Sequence, residues 1–191
     1  LIYQFVTLTE NGQPVKMSKR SGKSYTLDQL LEEVGADVVR FFLLMRGSGT
    51  HLEFDLALAR EQSDKNPVFY LQYAHARACS IFEKIKENSI SFIPKSEFST
   101  ELLTAPQEIE LIKVLTRFPA VVRSSGEKFE PQFLAEYLRE VAQAFHVFYH
   151  DCRIIGSEEK LLQARLLLAH TAKIVLRNGL RILGITTPER M

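Results

Sequence analysis

The chain lacks any large excess of charge of one sign. Its 24 basic and 23 acidic residues leave a formal net charge of +1 over 191 residues. So balanced a sequence carries no global nucleic-acid signature, and any contact with RNA must come from local patches. Cysteine is scarce: Cys79 and Cys152 stand far apart. That excludes a disulfide framework and suits a reducing cytosol. No apolar run reaches transmembrane length, and no signal-peptide pattern is present. A cytoplasmic location without membrane contact is therefore expected. There is no internal repeat and no low-complexity stretch, which sets aside a repeat array. What the chain does have is a 46% hydrophobic content, enough for a real core in one domain or one domain plus part of another. It opens at Leu1, in an apolar segment, as a piece of a longer protein would.

In chain order, Leu1–Leu8 is rich in β-branched and aromatic residues and predicts a strand, with Asn11-Gly12 as a hairpin turn. Thr26 and Gln29 have capping-box spacing at the head of a helix through Leu27, Leu30, Leu31 and Val34, which Gly35 should stop. Asp37 is expected to cap a second helix, apolar nearly all round and buried, and to pair with Arg40. His51–Leu56 reads as a short extended link, and Glu61–Asn66 as a polar connector closed by Pro67. From there on only helices are expected. Val68–Glu87 carries Leu71, Ala74, Ala78, Ile81, Phe82 and Ile85 on its apolar side. Asn88–Glu101 is a polar loop. Thr104-Ala105-Pro106-Gln107 opens a helix that Pro119 should kink or split and Ser124-Ser125-Gly126 should end. After Pro131, Leu134, Leu138, Val141, Phe145, Phe148, Cys152 and Ile155 recur in steps of four and three, the seam of a bundle core. Leu161, Leu168, Val175 and Ile182 repeat every seven residues, with small Ala172 and Gly179 between them. The fold class expected is mainly α: an antiparallel helical bundle over residues 59–191, preceded by a small α/β piece over residues 1–58.

Three groups of residues could carry chemistry. Lys16-Met17-Ser18-Lys19-Arg20-Ser21-Gly22-Lys23 places four basic side chains in eight residues, with glycines to let the backbone move, which suits a polyanion such as nucleotide phosphates. Charge alone favours a solvated basic turn. Gln72-Tyr73-Ala74-His75-Ala76-Arg77 puts Tyr73, Arg77 and Lys84 on one helical face away from the apolar side. Tyrosine and arginine there can stack on unpaired bases, and arginine can also hold phosphate. Tyr149 and Arg153 repeat the i, i+4 spacing one step round from the core seam. For both pairs, spacing alone favours a tyrosine at the core edge beside a solvated arginine. His146 and His150 are four apart with Cys152 near. His146 flanks the apolar seam and Cys152 belongs to it, so no metal site is expected.

Residue order adds what spacing does not. Lys16-Met17-Ser18-Lys19 resembles the KMSKS loop of class I aminoacyl-tRNA synthetases. Gly35-Ala36-Asp37-Val38-Val39-Arg40-Phe41-Phe42, His51-Leu52-Glu53-Phe54-Asp55, Gln72–Arg77, Ala144–Cys152 and the terminal Pro188-Glu189-Arg190-Met191 resemble arginyl-tRNA synthetases over nearly the whole chain. The resemblance implies the end of a class I catalytic domain followed by a helical, DALR-type anticodon-binding domain. It implies arginine–tRNA ligase activity with ATP (and its Mg2+), arginine and the tRNA for arginine as substrates, and a monomer. Lys16, Met17, Ser18 and Lys19 would contact ATP, with Lys16 and Lys19 catalytic. Asp64, Lys65, Asn66, Tyr70, Tyr73, Arg77, Tyr149, Arg153 and Met191 would surround the anticodon loop. None of His51, His75, His146, His150 and His170 stands in the His-x-Gly-His-type context that such enzymes use to cradle ATP, so the fragment is expected to be inactive alone. The alternative is a non-catalytic helical RNA-binding or assembly module with a synthetase-like fold.

Overall fold

The computed structural model describes residues 5–15, 26–47, 49–92 and 100–191. The basic loop 16–23, with Lys16, Met17, Ser18 and Lys19, lies outside the described residues.

The N-terminal part is a small sheet covered by short helices. β1 (Val6–Glu10) and β2 (Gln13–Pro14) form the expected hairpin. Asn11 and Gly12 both take positive φ, 51° and 76°, as a two-residue hairpin turn requires. The segment at 51–56 is more than a link. Leu52–Asp55 forms β3 and lies parallel to β1, giving the order β2-β1-β3. Between the paired strands run α1 (Leu27–Val34) and α2 (Ala36–Leu44). Thr26 and Gln29 form the capping box, each side chain accepting from the other's backbone N–H at 3.2 and 2.9 Å. Gly35 ends α1 with φ 82°.

Two expectations for α2 are corrected. Asp37 does not cap the helix, which begins at Ala36 without a side-chain cap. Its carboxylate accepts from Gln72 Nε2 at 2.9 Å and from the backbone N–H and hydroxyl of Thr186. Nor does Arg40 pair with Asp37: it donates to the Gly184 carbonyl. Both side chains are taken up by the C-terminal tail, a partner that local spacing cannot reveal. Val39, Phe41 and Phe42 are buried as expected, while Leu43 is exposed. α3 (Leu56–Arg60) is capped by Asp55 and packs back on β1, β3 and α1. Arg60 pairs there with Glu10 and Glu33.

The remainder is helical: α4 (Pro67–Glu87), a 3-10 turn (Thr100–Leu102), α5 (Pro106–Thr116), α6 (Phe118–Lys128), α7 (Gln132–Asp151) and α8 (Glu159–Ile182). The core lies between α4, α5, α7 and α8. Leu134, Leu138, Val141, Phe145, Phe148 and Cys152 are buried within it. Pro119 splits the α5–α6 segment. The cap of α5 is shifted by one residue from Thr104 and Gln107: Ala105 precedes the helix, and Glu108 accepts from its N–H at 2.8 Å. Glu108 also pairs with Arg165 of α8 at 2.6 Å, both largely buried. Ser124-Ser125-Gly126 does not end α6, which runs to Lys128 and closes on left-handed Phe129. The heptad row on α8 is buried at Leu168 and Val175 and is corrected at its C-terminal end. Ile182 is 56% exposed, whereas Leu166, Ala169, Ala172, Leu176 and Leu180 are fully buried. A seven-residue row drifts about 20° per heptad on a straight helix, so it leaves the core over three heptads. Gly179 does allow close approach: a Cβ there would lie 2.4 Å from Leu138 Cδ2. Among the described residues no helix is long and apolar enough to cross a membrane.

Candidate nucleic-acid interface

α4 is set by its first residues. Asn66 accepts from Val68 N–H at 3.0 Å and donates to the carbonyls of Ala59 and Glu61, and Pro67 occupies the first turn. Burial of Leu71, Ala74, Ala78, Ile81 and Ile85 in the core then leaves Tyr70, Tyr73, Arg77 and Lys84 along one edge, since each residue turns the helix by about 100°. On α7 the buried seam similarly puts His146 and Tyr149 at its border. α4 and α7 pack against each other, and their edges meet.

At the meeting point Arg77 is clamped. Its guanidinium carbon lies 4.6 Å from the Tyr73 ring centroid and 5.0 Å from that of Tyr149. One NH2 group donates to the Tyr73 hydroxyl, and the other approaches His146 Nδ1 at 3.4 Å. The His146 ring packs on Tyr70 at 5.0 Å and on Tyr73 at 5.9 Å between centroids. Two pairs that the sequence presents separately, Tyr73 with Arg77 and Tyr149 with Arg153, thus share one cluster through Arg77 and Tyr149. Among the described residues no carboxylate forms an ion pair with Arg77. A planar cation held between two rings with no counter-ion suits a base edge or a phosphate. Burial, and secondarily the Arg77 charge, lowers the His146 imidazole from 6.5 to about 4, so it is neutral at physiological pH. Burial likewise pushes the Tyr70 hydroxyl up.

Clefts open on both sides of the clamp. One, of about 380 Å3, is lined by Asp64, Lys65, Tyr70, Glu136, Arg139 and Gln143, among others. The other, of about 260 Å3, includes Lys84, Tyr149, Cys152 and Arg153 in its walls. Asp64 and Lys65 are exposed. Asn66 is only 2% exposed, and its side chain is engaged in the cap. Arg153 is exposed but bent over its own turn, donating from Nε to the Ile155 carbonyl at 3.1 Å. Gln72, the neighbour of Tyr73, turns away to Asp37 and Thr186. Met191 is exposed beside Arg190, which pairs with Glu83 of α4. It takes no part in the Arg77 clamp. Lys16, Met17, Ser18 and Lys19 fall outside the described residues. His150 is exposed and paired with Asp151, while Cys152 is buried. Among the described residues no group of three or more His, Cys, Asp or Glu could hold a metal.

Sequence reasoning missed His146 as a partner of Arg77, and missed Arg139 and Gln143 on the cleft wall. Spacing held a partial signal: Arg139, Gln143, His146 and Tyr149 follow steps of four, three and three along α7. Without the packing partner, that row is indistinguishable from a solvated edge.

Residues 71–191 match the DALR anticodon binding domain family. This chain belongs to that family. The clamp on α4 and α7 and the cleft holding Arg153 are therefore parts of a DALR domain. Over its full length the chain is 53% identical to an arginine–tRNA ligase of Salinibacter ruber and 49% identical to one of Ruminiclostridium cellulolyticum. In each case it covers 100% of this chain and 34% of the relative, so the chain spans about a third of the length of the curated relatives it matches. The solved arginyl-tRNA synthetase of Thermus thermophilus shares the fold, with a TM-score of 0.74 at 24% identity over 99% of this chain and 35% of that one.

Proposed function

We propose that this chain acts as the anticodon-reading end of an arginine–tRNA ligase, the enzyme that joins arginine to its tRNA using ATP. The observation that carries this reading is the Arg77 clamp: a guanidinium that no carboxylate among the described residues pairs with, set between Tyr73 and Tyr149 on helices of a DALR domain. In this reading Tyr70, Tyr73, Arg77 and Tyr149 hold unstacked anticodon bases, by stacking and charged hydrogen bonds. Asp64, Lys65, Asn66, Arg153 and Met191 border them, Asn66 acting through the loop conformation it fixes.

The basic loop serves the other half of the reaction. Attack of the arginine carboxylate on the α-phosphorus of ATP expels pyrophosphate, and negative charge grows on the leaving group. Lys16 and Lys19 stabilise that charge, and Met17 and Ser18 complete the phosphate contact. Mg2+ accompanies the ATP. The chain works as a monomer in the cytoplasm within the complete ligase.

Binding of the 191-residue chain to a tRNA with an arginine anticodon, against a non-cognate tRNA over a salt series, tests this reading. We expect cognate preference that disappears when the anticodon bases are changed. Tyr73→Ala and Arg77→Ala should each cost about 1–3 kcal/mol of binding. In the complete ligase, Lys16→Ala with Lys19→Ala should abolish activation while sparing tRNA affinity. Weak binding, equal for both tRNAs and lost steeply with salt, would refute anticodon reading and fit a non-catalytic RNA-binding module.

A further inference from the structure

We propose that His146 is the positioning residue of the clamp, a neutral imidazole whose Nδ1 accepts from Arg77 and sets the guanidinium between Tyr73 and Tyr149. The inference rests on the tRNA-binding reading of this face.

A guanidinium only donates, so the 3.4 Å contact between Arg77 and His146 Nδ1 requires a lone pair on that nitrogen. The ring proton then sits on Nε2. A protonated ring would instead aim an N–H at a cation. The lowered pKa of His146 agrees with the neutral form. The ring cannot swing away, because Tyr70 and Tyr73 pack against it.

Nε2 supplies a second, independent observation. It is buried and, among the described residues, has no hydrogen-bond partner. A buried donor without an acceptor destabilises the fold, and a phenyl ring would fill the same space without that penalty. Stability therefore does not account for a histidine here; its other nitrogen does. Of the five N–H donors on a guanidinium, Arg77 uses one on the Tyr73 hydroxyl and one on His146. Three remain to meet a base edge or a phosphate in a fixed plane.

The test measures affinity of the 191-residue chain for a labelled anticodon stem-loop RNA, with thermal unfolding recorded in parallel. His146→Phe should weaken binding by roughly two- to tenfold, the net worth of one hydrogen bond, without lowering the unfolding temperature. His146→Asn, whose amide oxygen can take the place of Nδ1, should recover most of the affinity. His146→Gln, whose oxygen reaches toward the Nε2 side, should not. Both amides remove the ring, so any general loss of fold is common to them and their difference carries the result. In an Arg77→Ala background, His146→Phe should have no further effect. Equal affinities for the Asn and Gln variants, or a His146→Phe loss that persists without Arg77, would overturn the assignment. An Arg77→Ala variant that binds as well as the parent would instead remove the tRNA reading of the whole face.

Discussion

Substituting Glu108 probes the joint between the bundle core and the turn that carries Arg153. Its side chain is 1% exposed, and both carboxylate oxygens are engaged: one with Arg165 Nε at 2.6 Å, the other with the Ala105 N–H at 2.8 Å. Arg165, 14% exposed, also donates to the Arg153 carbonyl at 2.5 Å, so the pair braces the turn that carries Arg153. Glu108→Ala strips a largely buried guanidinium of its counter-ion, which costs about 3–5 kcal/mol. The slight exposure of Arg165 allows partial relaxation toward water and favours the lower end. Loss of the helix-start contact at Ala105 adds roughly 1 kcal/mol. Together these give about 4–5 kcal/mol, or a fall of roughly 8–20 °C in Tm at about 2–4 °C per kcal/mol for a chain of this size. Glu108→Gln keeps an acceptor for one of the two donors and should lose about half as much. Circular dichroism at the helix band, followed through thermal unfolding, reads both variants. A Glu108→Ala loss below about 1 kcal/mol, or one equal to that of Glu108→Gln, would refute the reasoning, because the pair would then behave like an exposed one.

Gly179→Ala should destabilise by roughly 1–3 kcal/mol through overpacking, because its Cβ would fall 2.4 Å from Leu138 Cδ2 on a fully buried side chain. Combined with Leu138→Ala, the loss should be smaller than the sum of the two single losses. Acid sensitivity follows from His146. Its folded pKa is lowered to about 4, so between the ordinary imidazole value of 6.5 and that value the unfolded chain takes up the proton first, and stability falls as pH drops. His75 and His170 are lowered by burial as well and act in the same direction. The denaturation midpoint should fall on going from pH 7 to pH 5, and less steeply in His146→Phe; an equal slope in the variant would refute this account.

Much of the architecture could be read from the sequence because its causes are local. Asn11-Gly12 can adopt the positive φ of a tight turn, Thr26 and Gln29 cap each other across one helical turn, Pro67 and Pro119 place helix starts, and the α7 seam repeats at helical spacing. Errors arose where the deciding partner was distant. The 51–56 segment becomes a strand only because β1 lies alongside it. Asp37 and Arg40 bind a tail 149 and 144 positions away. The α8 row holds at Leu168 and Val175 but leaves the core at Ile182, because a seven-residue repeat and a helix of 3.6 residues per turn diverge with length.

The candidate site divides along the same line. Residue type and spacing showed that Tyr73, Arg77 and Tyr149 have the stacking surface and charge to meet a base, but favoured a solvated edge; only the resemblance to arginyl-tRNA synthetases pointed to them as base-holding side chains. Tertiary structure decided that Arg77 lies between the two rings and that His146, 69 positions from Arg77, faces its guanidinium. Packing of α4 on α7 alone could make those pairings, because a side chain's chemistry is carried in its residue while its partner is chosen by how the apolar faces close.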